Sequence, residues 1–117
     1  MTLSEISAPD ESPEQVECMP LSSTGFHLKW SAPPHDTWNG QIKGYRVLFV
    51  PYPKYNRMLV RMNTARLSAV IGTTIALTGR IPFTNYSVQI LAYTSAGDGD
   101  FSTSVSCSTE TDGRLYI

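Results

Sequence analysis

Concentrated charge, long apolar runs and cysteine are all scarce in this chain of 117 residues. Only 16% of its residues are charged, and the nine basic and ten acidic side chains are scattered along the chain, for a formal net charge of −1. No arginine or lysine run could neutralise several phosphates, so neither nucleic acid nor an anionic membrane surface is an expected partner. No apolar stretch approaches the ~20 residues that a spanning helix requires, so direct membrane insertion is not expected either. The opening residues are rich in Ser, Glu and Pro and lack the basic-then-apolar pattern of a secretory signal. An extracellular placement would therefore put the signal and any anchor elsewhere in a longer parent chain.

Catalytic and cofactor motifs are equally thin. His27 and His35 have no cysteine or carboxylate at metal-ligand spacing. No Gly-x-Ser-x-Gly elbow surrounds a serine. Gly97-x-Gly99 lacks the third glycine and the following helix of a dinucleotide loop. Asp98 and Asp100 supply too few oxygens for a calcium loop of their own. No catalytic residue, cofactor or metal is expected; the chain reads as a binding and spacing module.

What is present is a 41% hydrophobic fraction laid out in short alternating segments, broken by Gly, Pro, Asn and Ser clusters. That pattern marks strands, and no i, i+3, i+4, i+7 stripe persists long enough for a helix. The length suits one domain. Residues 1–12 are expected to be a flexible linker, 13–110 the domain and 111–117 a polar tail.

The first strand is expected near 15–21, with Val16 and Cys18 on one face. After Ser22-Ser23-Thr24-Gly25, the second places Phe26, Leu28 and Trp30 together and His27 and Lys29 opposite. Ala32-Pro33-Pro34 cannot continue a central strand, because proline lacks the ladder N–H. Asn39-Gly40 offers a tight turn. The third strand, about 42–50, alternates Tyr45, Val47 and Phe49 against Arg46 and Leu48, with Pro51 and Pro53 expected to end it. Between 55 and 72, Met58, Val60 and Met62 alternate, as do Leu67, Ala69 and Ile71, giving one or two edge strands. The remaining strands fall at 73–78 with Ile75 and Leu77 inward, at 86–93 with Tyr86, Val88, Ile90 and Ala92 on one face, and at 102–109. A glycine-containing hairpin, Ser95 to Asp100, joins the last two. Seven strands, no helix and a turn every ~8–12 residues indicate an all-β chain. The expected fold is a two-sheet antiparallel sandwich of the immunoglobulin-like kind, with Trp30, Tyr45, Val47, Leu77, Tyr86, Val88 and Ile90 in its core.

Several phrases then carry a family likeness. Leu28-Lys29-Trp30-Ser31-Ala32-Pro33, Ile42-Lys43-Gly44-Tyr45-Arg46-Val47, the run Leu77-Thr78-Gly79 leading through Pro82 and Thr84 to Tyr86, and Ser95-Ala96-Gly97-Asp98-Gly99 resemble the fibronectin type III pattern over roughly residues 13–110. More finely, Lys43 to Phe49, Phe83 to Thr94 and Ala96 to Gly99 are similar to fibronectin repeats of the Down syndrome cell adhesion molecule family of neuronal receptors. Arg80, standing where the pattern has a leucine, and the long segment after Pro53 depart from it. The resemblance implies the extracellular part of a plasma-membrane receptor, a spacer and protein contact surface in cell-cell recognition. Its partners would be other protein domains, homophilic or heterophilic, and neighbouring domains of its own chain. An intracellular cytoskeletal or muscle scaffold repeat, or an accessory repeat of an extracellular enzyme or receptor phosphatase, are the alternatives. The integrin tripeptide Arg-Gly-Asp and a Trp-Ser-x-Trp-Ser box are both absent.

Single residues then take roles, from this resemblance or from their own chemistry. Trp30 and Tyr86 become core anchors, with the Tyr86 hydroxyl bonded to nearby backbone at a strand corner. Asn85-Tyr86-Ser87 matches the N-x-Ser sequon with Asn85 pointing away from the buried tyrosine, a glycan acceptor or simply an exposed turn asparagine. Cys18 and Cys107 fall on neighbouring edge strands of opposite sheets. A bridge there would close a loop near ninety residues and contribute up to about 4–5 kcal/mol, whereas two buried thiols acting as small hydrophobes are the alternative. Tyr52, Tyr55 and Arg57 in a proline-flanked loop, with Trp38, are candidate protein contacts, or else rings covering the sandwich edges.

Overall fold

Alternation gives each strand one apolar face, and burying those faces requires a second layer. The computed structural model describes residues 5–22, 24–52, 65–79 and 85–108. These form β1 (Glu14–Ser22), β2 (Gly25–Ser31), β3 (Gly44–Tyr52), β4 (Ala65–Val70), β5 (Thr74–Leu77), β6 (Asn85–Thr94), β7 (Gly97–Asp98) and β8 (Val105–Ser108), plus one 3-10 turn at His35–Thr37. One sheet runs β1-β2-β5 and the other β4-β3-β6-β7, with β8 also paired to β6. Because β3 holds one edge of β6, β7 and β8 lie end to end on the other, as two pieces of a single last strand. All pairings are antiparallel, and the expected two-sheet sandwich of seven strands results.

The core is the set of inward faces. Phe26, Leu28 and Trp30 of β2 meet Tyr45, Val47 and Phe49 of β3 and Tyr86, Val88, Ile90 and Ala92 of β6, none more than 5% exposed. Ile75 and Leu77 of β5 are half-buried against them. Ring centroids stand 5.4 Å apart for Phe26–Phe49, 5.8 Å for Phe26–Tyr86 and 5.3 Å for Trp30–Tyr45, all tilted or edge-on. Such pairs add about 0.5–1.5 kcal/mol each beyond the area they bury. The Trp30 indole N–H is buried with no partner among the described residues. That costs about 1–3 kcal/mol, against roughly 4–6 kcal/mol from burying a ring of ~150–250 Å² at ~25 cal/mol per Å².

Three local expectations change. Pro51 does not end β3, which continues to Tyr52 with Pro51 opposite Tyr86 and Tyr52 opposite Asn85. The register with β4 stops at Phe49↔Ala65, so Pro51 lies where β3 has only β6 beside it among the described residues, and an edge tolerates a missing N–H. The alternation Leu67, Ala69, Ile71 fails after Leu67. A bulge between Tyr45↔Val70 and Val47↔Leu67 turns Val70 inward and leaves Ile71 77% exposed. Third, the stretch read as a linker makes specific bonds: Ser7 N–H to Asn39 O (2.9 Å), Asp10 N–H to Thr37 O (2.8 Å), Thr94 Oγ1–H to Ser7 O (2.6 Å) and Asn39 Nδ2–H to Ala8 O (3.0 Å). Pro9 is buried there, beside the Asn39-Gly40 turn, where Asn39 takes a left-handed φ of 58°. Met58, Val60, Met62 and Arg80 lie outside the described residues.

Cys18 of β1 and Cys107 of β8 are bridged, with Cα atoms 5.8 Å apart, so of the two alternatives the disulfide is the one formed. It joins an edge of one sheet to an edge of the other across 89 residues of sequence. Pro20 and two register shifts in β1 make that edge a poor template for a further strand.

Replacing both cysteines (Cys18→Ser with Cys107→Ser) should cost about 2–5 kcal/mol of unfolding free energy, read as a lower guanidinium midpoint and reproduced in wild type by reductant; an unchanged midpoint would show that the bridge constrains nothing. Tyr45 is buried, which raises its phenol above the ordinary 10.0. The native state thus favours the protonated form, so this contribution is complete below pH 10 and lost as pH rises through the raised folded value. Alkaline denaturation curves of Tyr45→Phe should lack that component, and identical curves for the variant and wild type would contradict it.

Candidate contact surface

Burying one face of β3 and β6 commits the alternate residues to the other. On the outward side of the five-stranded sheet, Arg46 stands opposite Leu91, Gly44 opposite Tyr93 and Leu48 opposite Arg66. The Arg46 guanidinium lies 4.1 Å from the centre of the Tyr93 ring. Its Nε donates to Asp98 Oδ1 at 2.9 Å, and a terminal N–H donates to the Ser68 carbonyl. One planar, five-donor fork therefore ties β3 to β4, β6 and β7. The Arg46 and Asp98 side chains are 38% and 46% exposed, where an ion pair is worth about 0–1 kcal/mol and a cation–π contact about 0.5–1 kcal/mol. The cluster orients the surface more than it stabilises the fold. Gly44 permits it, since a Cβ there would come within 2.8 Å of the Tyr93 hydroxyl and 3.0 Å of the Val70 carbonyl.

A break in the last strand shapes the rest. Gly99 N–H still bonds Ala92 O at 2.9 Å, and Ser102 N–H bonds Ile90 O at 2.7 Å. The Ile90 N–H, however, donates to the Ser102 hydroxyl at 3.0 Å instead of to a carbonyl. Ser102 is 4% exposed and replaces a rung of the ladder with its side chain. The strand expected over 102–109 accordingly begins only at Val105, and Phe101 is turned out, 42% exposed. Between these features lies an open groove of about 250 Å³ lined by Arg46, Leu48, Arg66, Leu91, Asp98 and Phe101. An aromatic, two arginines and aliphatic side chains make the composition enriched at protein interfaces.

The contacts expected from the sequence fall elsewhere. Trp38 is half-buried; its Nε1–H donates to Pro33 O at 2.7 Å and its ring sits 4.6 Å from His35, so it pins the 3-10 turn. Tyr52 closes β3 opposite Asn85, and Tyr55 and Arg57 lie outside the described residues. The groove has a signal in the sequence: Leu48 and Leu91 are apolar on the outward parity of adjacent strands, and Ile90-Leu91-Ala92 interrupts strict alternation. Ser102 carries no such mark. Asn85 is exposed at the head of β6, its Oδ1 accepting a bond from the Ser108 hydroxyl. Asp98 is engaged by Arg46, and no group of three or more His, Cys, Asp or Glu suited to a metal exists among the described residues.

Comparison with known proteins agrees with this architecture. The fibronectin type III domain model matches residues 11–108. The chain is 37% identical over 109 residues to cell adhesion molecule Dscam2 of Drosophila melanogaster, covering 89% of this chain and 5% of that protein. It is 41% identical over 93 residues to cell adhesion molecule DSCAML1 of Mus musculus, covering 78% and 4%. Receptor-type tyrosine-protein phosphatase F of Mus musculus is 37% identical over 92 residues, covering 78% and 5%. The chain thus spans only about a twentieth of the length of these relatives. The solution structure of the third fibronectin III domain of human KIAA0343 protein has the same fold, with a TM-score of 0.78 at 21% identity, covering 100% of this chain and 95% of that one. With its two sheets, its strand order and a family match that omits little more than the ends, the chain belongs to the fibronectin type III domain family.

Proposed function

We propose that this chain is an extracellular module of a neuronal cell-adhesion receptor, spacing its neighbours and offering the outward face of the five-stranded sheet to a protein partner. The observation that carries the reading is the similarity, over 89% of the chain, to an adhesion molecule some twenty times longer. A module occupying so small a share of its relatives acts through its surface and its ends. The Cys18–Cys107 bridge supports export, because disulfides persist in oxidising compartments and an intracellular scaffold repeat would keep its thiols reduced. The groove between Arg46 and Phe101 supplies the contact: an exposed ring and a cation preset by Tyr93 and Asp98 contribute area with little further ordering on binding. The similarity to phosphatase F favours a second reading, a non-catalytic repeat of a receptor phosphatase, which changes the parent and not the role of the surface.

Cells expressing the full-length protein test this directly. An impermeant biotin reagent should label the chain on intact cells, and the cells should aggregate. Phe101→Asp combined with Arg66→Glu should leave the surface level unchanged and reduce aggregation several-fold, since both residues are exposed. Labelling only after permeabilisation would contradict the extracellular placement. Undiminished aggregation would contradict the groove's role.

A further inference from the structure

Along β6 the outward face changes character. Near Arg46 it is aromatic and cationic; at the other end, Asn85 stands opposite Ser108, and Ser87 opposite Ser106. Asn85, Ser106 and Ser108 are exposed and Ser87 is half-buried, so the β8 flank of the asparagine carries only short hydroxyl side chains. Tyr86 between them is fully buried, and strand alternation therefore drives both Asn85 and Ser87 outward. Asn85-Tyr86-Ser87 has the spacing at which a hydroxyl two residues on directs glycan transfer to an asparagine. The Ser108 hydroxyl engages Oδ1 of the amide, and Oδ1 remains an acceptor once Nδ2 is substituted, so bond and sugar can coexist.

We propose that Asn85 carries an N-linked glycan, transferred before β6 is shut into its sheet. In the transfer Nδ2 bonds to C1 of the first sugar of a lipid-pyrophosphate-linked oligosaccharide. The C1–oxygen bond breaks, the lipid pyrophosphate leaves, and one amide proton passes to the transferase. The timing follows from the pairing. In the folded chain residues 85–88 are hydrogen-bonded to β3 on one side and to β8 on the other, with Tyr86 buried, which leaves no access to the tripeptide backbone. β8 is synthesised after β6, and the Cys18–Cys107 bridge that locks it cannot close sooner. The finished glycan projects from one end of the face. Leu91, in the groove, lies six residues further along β6, about 20 Å at ~3.3 Å per residue. The sugar so covers the serine-lined end and leaves the Arg46–Phe101 groove bare.

This inference rests on the extracellular reading, and the test separates the two. Full-length protein is recovered from animal cells both as the surface-biotinylated fraction and as whole lysate, then reduced and trypsinised. The peptide spanning 81–114 is treated with peptide N-glycosidase in heavy-oxygen water. Wild type should show Asn85 converted to labelled aspartate in most copies; Ser87→Ala should abolish the label and Ser87→Thr should retain it. In lysate, the double variant Cys18→Ser with Cys107→Ser should be at least as fully occupied as wild type, because its last strand closes later. Unmodified Asn85 in surface-labelled wild type overturns the glycan while leaving the receptor reading intact, and absence of any surface-labelled chain overturns that reading itself. Lower occupancy in the cysteine variant overturns the order of events.

Discussion

Phe26, from the three-stranded sheet, rests between Phe49 and Tyr86 of the five-stranded one, at 5.4 and 5.8 Å. The backbone ladders join strands within each sheet, so the stacking of one sheet on the other depends chiefly on side chains such as these. The hydrophobic term is non-directional and sets only that the layers close. The tilted ring contacts, each filling the space its neighbour leaves, select one stacking out of many. The Cys18–Cys107 bridge adds a covalent tie at the rim and restricts the unfolded chain more than it shapes the folded one.

The surface follows from that interior by parity. Tyr86 inward puts Asn85 and Ser87 outward; Ile90 and Ala92 inward put Leu91 and Tyr93 on the opposite face, where Leu91 is covered to 5% exposure. Arg46 faces out because Tyr45 and Val47 face in, and from there it reaches three other strands. The groove needs one further device, the Ser102 hydroxyl standing in for a ladder carbonyl, which lets the last strand depart and expose Phe101 without leaving the Ile90 N–H orphaned. Thus a core aromatic layer, an arginine clamp and a serine-bridged break in the last strand together shape a groove that no single one of them would produce.

Period-2 alternation made the layers readable in the sequence: Phe26, Leu28 and Trp30 on one side, Tyr45, Val47 and Phe49 on the next, Tyr86, Val88 and Ile90 on the third. Register was less accessible. The bulge that swaps Ala69 for Val70 inside depends on which residues of β3 lie opposite, a long-range fact absent from any local window. Pro51 misled for a related reason, because a proline's effect on a strand depends on whether its N–H side has a neighbour. Composition points to the tyrosine-rich loop and Trp38, whereas Leu48 and Leu91 come onto one stretch of surface only through the pairing of β3 with β6. Trp38 illustrates the general difficulty: an aromatic in a proline-rich loop serves the loop itself when its indole N–H has a carbonyl five residues back to bond.

The contact between the sheets is specific, not merely apolar. A double-mutant cycle with Phe26→Leu and Phe49→Leu, which keeps aliphatic volume in the core and the fold populated, measures this in equilibrium unfolding. The single variants should destabilise, and their effects should fail to add by about 0.5–1.5 kcal/mol, the coupling expected of a tilted aromatic pair. Effects that add to within about 0.3 kcal/mol would mean that the rings do not pack against each other, and the sheet stacking from which both the groove and Asn85 take their positions would have to be redrawn.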